Sequence, residues 1–282
     1  MKTIKYIVLL LTIISLGACE KEATNVDVPV VQPKLVVATF LNPHESYTSL
    51  YLSWSNPIYH NTNNQIKPET QAKVYIESEG VSYPVNYSPA NNRYEIAASQ
   101  MKIVSGKSYH LKIESDKVDQ VLKAETIVPA KPDFTAEYKG MDSITIEDGY
   151  GSYTEYRLYV DLHIKNAEHP GYYRVIAQCL TQDGDLIELY MDGYQNKKIY
   201  GDFNERLNIW PEYYDGNSFK PKELYISVQK ADESFYRYMH SLEMNNDIEI
   251  FTEPTQIYSN VENALGVFCS FYSVTDTLVV KK

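Results

Sequence analysis

Tyr156-Arg157-Leu158-Tyr159-Val160-Asp161-Leu162-His163-Ile164 (YRLYVDLHI) alternates without a break. Tyr156, Leu158, Val160, Leu162 and Ile164 fall on one side, and Arg157, Tyr159, Asp161 and His163 on the other. Successive side chains of a strand point to opposite faces, so the stretch reads as a β-strand with one buried and one wetted face. The same period extends outward. Towards the C-terminus, Tyr172–Leu180 follows, then the turn Gln182-Asp183-Gly184-Asp185, then Leu224, Ile226 and Val228, and finally Gly266–Val274 and Thr277–Val280. Residues 192–221, rich in Gly, Asn, Tyr and Pro, show no clear period and read as a long loop with irregular strands.

Towards the N-terminus the alternation fills Lys34–Val128. Leu50, Leu52 and Trp54 oppose Ser49, Tyr51 and Ser53. Val74 and Ile76 flank Tyr75, while Val81, Tyr83, Val85 and Tyr87 share a parity. Tyr109, Leu111 and Ile113 alternate with His110, Lys112 and Glu114. Glu79-Gly80, Pro89–Asn92 and Ser105-Gly106 separate these runs as turns, and Pro84 suits an edge strand. About seven short strands without a helix predict an immunoglobulin/fibronectin-like β-sandwich over 34–130. Pro129-Ala130-Lys131-Pro132 marks its end. A second β-rich domain over 131–282 follows, carrying one amphipathic helix. That helix is predicted over 232–245, where Phe235, Tyr238, Met239 and Leu242 form an i, i+3, i+4, i+7 stripe behind an Asp232-Glu233-Ser234 start. The fold class is therefore mainly β.

The N-terminus reads differently. Met1-Lys2-Thr3-Ile4-Lys5 is basic, and Tyr6–Leu16 is apolar apart from Thr12 and Ser15. That run is shorter than the ~20 residues a spanning helix needs. With Leu16-Gly17-Ala18-Cys19 behind it, the segment resembles a lipoprotein signal in which residues 1–18 are removed and Cys19 carries lipid. Residues 19–33 then form the lipidated cysteine and a flexible tether, of about 20 Å root-mean-square reach. The chain is expected on the outer membrane, anchored through Cys19 and facing the exterior, an address that Glu20 and Glu22 favour.

The whole sequence holds 26 basic and 37 acidic residues, a net charge of −11. Such a balance argues against nucleic acid as a partner, because phosphate contacts need clustered Lys and Arg. Tyrosine numbers 26 against 8 phenylalanines and 2 tryptophans, which suits half-buried sheet faces and binding surfaces alike. An oxidising envelope permits a disulfide between Cys179 and Cys269. Their inward parity, beside Val175 and Ala177 in one strand and Val267 and Phe271 in the other, favours two buried thiols.

Several stretches resemble the domain-of-unknown-function 4249 lipoproteins of Gram-negative outer membranes. They are Leu52-Ser53-Trp54-Ser55-Asn56-Pro57, Val104-Ser105-Gly106-Lys107-Ser108-Tyr109-His110-Leu111, Ala124-Glu125-Thr126-Ile127-Val128-Pro129 and Gly171-Tyr172-Tyr173-Arg174. The most specific is the C-terminal block: Tyr236-Arg237-Tyr238, Ser241-Leu242, Phe251, Pro254, Ile257, Ser259-Asn260-Val261 and Asn263-Ala264-Leu265-Gly266-Val267-Phe268. Ala264 departs from the usual glycine, and Gly171 from the polar residue expected there. The resemblance implies an outer-membrane lipoprotein, often encoded beside a TonB-dependent transporter. It implies no known reaction and no catalytic residues.

Candidate chemistry is sparse. Asp161 and His163 share a strand face and His169 follows, but a catalytic or metal site needs a further convergent group. These are read as polar residues on a solvated face, and no metal, cofactor or catalytic residue is assigned. Asp183-Gly184-Asp185 and Glu147-Asp148-Gly149 lack the full calcium-loop pattern and read as turns. Asp142-Ser143-Ile144 and Asp276-Thr277-Leu278 match a triplet used for envelope O-glycosylation, which makes Ser143 and Thr277 candidate modification sites. Tyr150, Tyr153, Tyr194, Tyr200, Trp210, Tyr213 and Tyr214 fall in loop-like sequence. Of these Trp210, Tyr213, Tyr214, Tyr194 and Tyr200 are the candidate ligand contacts, for a glycan or a peptide. The expected function is a non-catalytic accessory to a TonB-dependent transporter, capturing or delivering a nutrient. The alternatives are a surface adhesion or structural lipoprotein, and a hydrolase built on Asp161, His163 and His169.

Overall fold

Alternating polarity becomes paired strands across nearly all of the described chain. The structure is a computed structural model that describes residues 32–56, 66–148, 151–167, 170–193, 195–211, 219–246 and 256–281. Residues Pro33–Ser55 and Gln65–Lys282 form one compact unit. The N-terminal half supplies β1 (Leu35–Leu41), β2 (Tyr47–Trp54), β3 (Lys67–Pro68), β4 (Lys73–Ser78), β5 (Val81–Ser88), β6 (Arg93–Ala97), β7 (Ser108–Glu114) and β8 (Leu122–Ile127). Then come β9 (Asp133–Asp148), β10 (Gly151–Lys165), β11 (Gly171–Thr181), β12 (Leu186–Met191), β13 (Asn196–Ile199), β14 (Phe203–Pro211) and β15 (Pro221–Ala231). Helix α1 (Glu233–Asn246) and β16 (Leu265–Val279) complete the chain.

These strands belong to one large mixed sheet, in the order β8-β7-β4-β5-β6-β2-β1-β16-β15-β11-β12-β14-β10-β9, with β3 beside β2 and β13 beside β11. The ladders are antiparallel except that between β1 and β16, which is parallel. β16 is the seam. Its first part, Leu265–Ser270, pairs with Val36–Leu41 of β1, and its second, Phe271–Val279, pairs with Ala231–Glu223 of β15. At the far end of the order, β9 also touches β16, so this part of the sheet curls back on itself.

Buried side chains gather in three clusters. The first draws on β1, β2, β4, β5, β6, β7 and β8 and includes Phe268 from β16. The second lies on the inward parity of β10, β11, β14 and β15, with Leu158, Val160, Leu162 and Ile164 among its members. That is the side the alternation of YRLYVDLHI assigns to the interior. The third lies under α1, where Phe235, Val267 and Cys269 meet Phe40, Tyr238, Met239 and Phe271. Phe235 packs edge-on against Phe40 of β1, ring centroids 5.9 Å apart, and 5.2 Å from Phe271 of β16. Burying Phe235 contributes about 1.5–3 kcal/mol. The helical stripe is thus a helix packed on a sheet, as its spacing predicts.

Local features follow their residues. Glu79 and Gly80 both take positive φ, 52° and 79°, the two-residue hairpin geometry that matches strand twist. Pro84 sits where β5 pairs with β4 alone, before Asn86–Ser88 pass to β6. Cys179 and Cys269 are free and buried, each inward-facing. Buried Glu69 fastens the approach to β4. Lys117 Nζ donates to it at 2.8 Å, Trp54 Nε1 at 3.2 Å and the Gln71 amide at 3.0 Å. Burial by itself raises this carboxyl, but those donors and the Lys117 charge more than offset it and hold it below its ordinary value. Glu69→Ala leaves the indole N–H without its acceptor. The expected cost is about 2 kcal/mol in a urea unfolding curve, and a midpoint unchanged from the parent would contradict the role.

Two expectations are corrected. Residues 192–221, read as a long loop with irregular strands, hold two regular strands among the described residues, β13 and β14, with β14 pairing with both β10 and β12. Tyr153, read as loop-like, lies on β10, where it pairs with Ile146 of β9.

Candidate functional site

Trp210 lies within β14 and not in a loop. It pairs across the ladder with Tyr190 of β12, a residue 45 % exposed. Tyr200 is in the short turn after β13 and is 68 % exposed. Tyr194, Tyr213, Tyr214, Tyr150, His169 and Cys19 lie outside the described residues. Ser143 of β9 and Thr277 of β16 are both exposed on strands, and the Thr277 amide donates to Asp276 Oδ1 at 2.9 Å. Asp183-Gly184-Asp185 forms the β11–β12 turn, closed by the Asp185 amide on Thr181 Oγ1 at 3.1 Å.

The Asp161/His163 pair borders a shallow hollow of about 400 Å³ with Thr135, Glu137, Asn204 and Arg206. Arg206 holds Asp161 bidentately, Nε to Oδ1 at 2.7 Å and Nη2 to Oδ2 at 3.0 Å, and Lys139 Nζ stands 3.7 Å away. The Arg206 guanidinium therefore keeps the Asp161 carboxyl below its ordinary range. His163 Nδ1 is 2.5 Å from Asn204 Oδ1. Among the described residues, both side chains are engaged by neighbours on a salt-bridged sheet face. No described group of three or more His, Cys, Asp or Glu is placed to hold a metal ion.

A different constellation forms where α1 lies over β11 and β13. Strand pairing sets Tyr172 opposite Lys198 and Arg174 opposite Asn196, and Arg174 also faces Gln229 of β15. The Lys198 ammonium sits 5.8 Å from the Tyr172 ring centre and 5.6 Å from that of Tyr200. From the helix, Tyr236 brings its ring to 5.1 Å from Tyr172, and His240, one turn on, stacks on Tyr236 at 5.7 Å. Rings and an ammonium thus line one edge.

Behind that edge the groups are polar and buried. Asn196 Nδ2 donates to Glu243 Oε1 at 2.5 Å, and Arg174 Nη2 to Gln195 Oε1 at 3.2 Å. Burial lowers the Arg174 guanidinium from its ordinary value, opposed by the charges of Glu243 and Glu188. Three buried atoms here have no hydrogen-bond partner among the described residues, Arg174 Nε, Asn196 Oδ1 and Gln229 Oε1, while Glu243 Oε2 lies 3.8 Å from His240 Nδ1. Each such group costs about 1–3 kcal/mol, so their convergence in one place is a structural cost with no local return.

Sequence reasoning reached only Tyr200 of this group. The available signals were the shared outward parity of Tyr172 and Arg174, and the four-residue spacing of Tyr236 and His240 on the side of α1 away from Phe235. A family model described as "Domain of unknown function (DUF4249)" matches residues 21–277. No curated protein matches the chain.

Proposed function

The chain belongs to the DUF4249 family, and on that premise we propose that it is a non-catalytic, lipid-anchored protein of the outer membrane, acting as an accessory to a TonB-dependent transporter in nutrient capture. The observation that carries this reading is the N-terminal Leu16-Gly17-Ala18-Cys19 behind a short apolar run, which makes Cys19 the lipid attachment point and the segment to residue 33 a tether. In this reading residues 34–130 act as an immunoglobulin-like sandwich that spaces or docks, and residues 131–282 carry the ligand face, the two sharing β16. The engagement of Asp161 by Arg206 and Lys139, and of His163 by Asn204, supports a structural role for that pair rather than acid–base chemistry.

The test is affinity purification of the C-terminally tagged chain from native membranes in mild detergent. A TonB-dependent transporter is the expected co-purifying partner, and a Cys19→Ser variant is expected to leave the membrane fraction. Recovery of the chain alone, or unchanged fractionation of the variant, would sink the proposal.

A further inference from the structure

We propose that the face framed by β13, β11 and the C-terminal half of α1 is a binding site for a neutral oligosaccharide. The inference deepens the capture role proposed above and rests on it for its biological setting, but not for its chemistry. Three observations carry it. Tyr200, Tyr172 and Tyr236 present phenol rings along one edge, separated by 5–6 Å steps through Lys198 and through direct ring contact. Aromatic faces of this kind receive the C–H face of a pyranose, burying apolar area at little entropic cost.

The hydrogen-bonding capacity behind the rings points the same way. Asn196 Oδ1 and Gln229 Oε1 are acceptors without a donor among the described residues, and Arg174 Nε is a donor without an acceptor there. Asn196 is 7 % exposed, so this demand is not met by bulk solvent. A sugar hydroxyl is donor and acceptor at once, and a vicinal pair answers both demands in one ligand. An ammonium would answer only the acceptors, and a carboxylate only the guanidinium.

Charge settles the remaining choice. Lys198 and Arg174 on this face stand among Glu233, Glu243 and Glu188, so the two signs are interspersed and no cluster of one sign selects an ion.

The unmatched atoms of Arg174, Asn196 and Gln229 lie on the strands that the second half of α1 covers, so binding requires that half to swing outward. The helix is built for such a hinge. Its first turns are fixed by the Asp232 cap and by Phe235, Tyr238 and Met239 in apolar packing. Its later turns meet β11 and β13 through the Asn196–Glu243 bond and this partly unmatched polar layer, and hold the following chain through the Tyr258 amide on Ser241 Oγ at 3.0 Å.

The test is calorimetric titration of the full chain, purified in mild detergent, with maltohexaose, cellohexaose, xylohexaose and chitotetraose. Spermidine and oligogalacturonate serve as charged comparators. At least one neutral sugar is expected to bind with a submillimolar Kd. Tyr200→Ala and Tyr236→Ala are each expected to weaken it about tenfold, while Tyr47→Ala, on a different strand face, leaves it unchanged. Gln229→Leu is expected to weaken binding without lowering the melting temperature, because it removes an acceptor with no partner among the described residues. Absence of binding at millimolar sugar, binding of the charged probes alone, or a Kd indifferent to Tyr200 and Tyr236 would each overturn the site. A chain that recovers the transporter yet binds none of these sugars loses this site and keeps the accessory role. A chain that binds sugar without a transporter does the reverse.

Discussion

Gly266→Val is expected to lower the melting temperature by on the order of 10 °C. Gly266 has φ +99° and stands opposite Val37 in the parallel β1–β16 ladder. A Cβ placed there would collide with the Val37 carbonyl oxygen, which is backbone and cannot rotate aside. Left-handed or otherwise positive φ costs a non-glycine residue about 1–2 kcal/mol. The collision adds the loss of ladder hydrogen bonds and of packing at fully buried Phe268, for a total of about 3–5 kcal/mol. At 2–4 °C per kcal/mol for a chain of this size, the melting shift follows. Gly106→Ala is the control, because that glycine also has positive φ, +79°, but open space where its Cβ would go. It is expected to cost only the conformational part. Equal losses at the two positions would show that the close approach to β1 does not matter.

The second large effect is on the pH dependence of stability, and Asp232 is its source. This carboxylate caps α1 through the Phe235 amide at 2.7 Å. It also accepts from the Ser270 amide at 3.3 Å and from the Thr126 hydroxyl. Thr126 Oγ1 lies 2.6 Å from Ser270 Oγ, which donates to the Ile127 carbonyl at 3.1 Å. One buried knot therefore ties β8, the start of α1 and β16. Burial pushes Asp232 up to about 6 from an ordinary 3.8, the Thr126, Phe235 and Ser270 donors opposing the rise and the Glu233 charge adding to it. Glu233, the buried Cys269 thiol and these donors are the groups facing it.

A folded-state pKa above the unfolded one means that the native protein binds the proton more tightly. The stabilisation is then fully present below pH 3.8 and is lost as pH rises through about 6. The difference corresponds to about 3 kcal/mol. Other carboxylates, Glu69 and Asp161 among them, are lowered and shift stability the opposite way. The measurement is therefore a subtraction. The unfolding free energy of the parent minus that of Asp232→Asn is expected to fall by about 2.4 kcal/mol between pH 4 and pH 7.5. Asparagine keeps the capping ability, so the slope isolates ionisation, and a flat difference would remove Asp232 as its origin.

Local chemistry made much of this fold legible. YRLYVDLHI declared its own inward side, the 232–245 stripe gave α1 to within a residue of each end, and the inward parity of Cys179 and Cys269 matched buried free thiols. Strand β9 was missed because two features break its period. Lys139 is an extra residue opposite the Tyr159/Val160 step, which shifts the parity. Beyond it Met141–Thr145 are exposed throughout, so neither face carries an apolar code. In β14, Glu205 interrupts the inward series of Phe203, Leu207 and Ile209, its carboxylate being drawn to Lys197 at 2.9 Å. The candidate site was harder still. Tyr172, Lys198 and Tyr236 come from three elements, and nothing in a local window says that a helix will lie across the outward face of β11. The prolines at 129 and 132 mark a real pause between strands, yet they carry no trace of the ladder that joins β1 to β16.

That ladder has a consequence in time. A chain made from its N-terminus exposes β1 about 230 residues before its parallel neighbour exists. At about 5–20 residues per second the wait is roughly ten to fifty seconds, and a contact so distant in sequence is also slow to find once both strands are present. Until then one edge of β1 offers unpaired amides and carbonyls to any passing strand. Biogenesis of this protein is therefore gated by Leu265–Ser270, and whatever guards the emerging chain must hold that edge until they arrive.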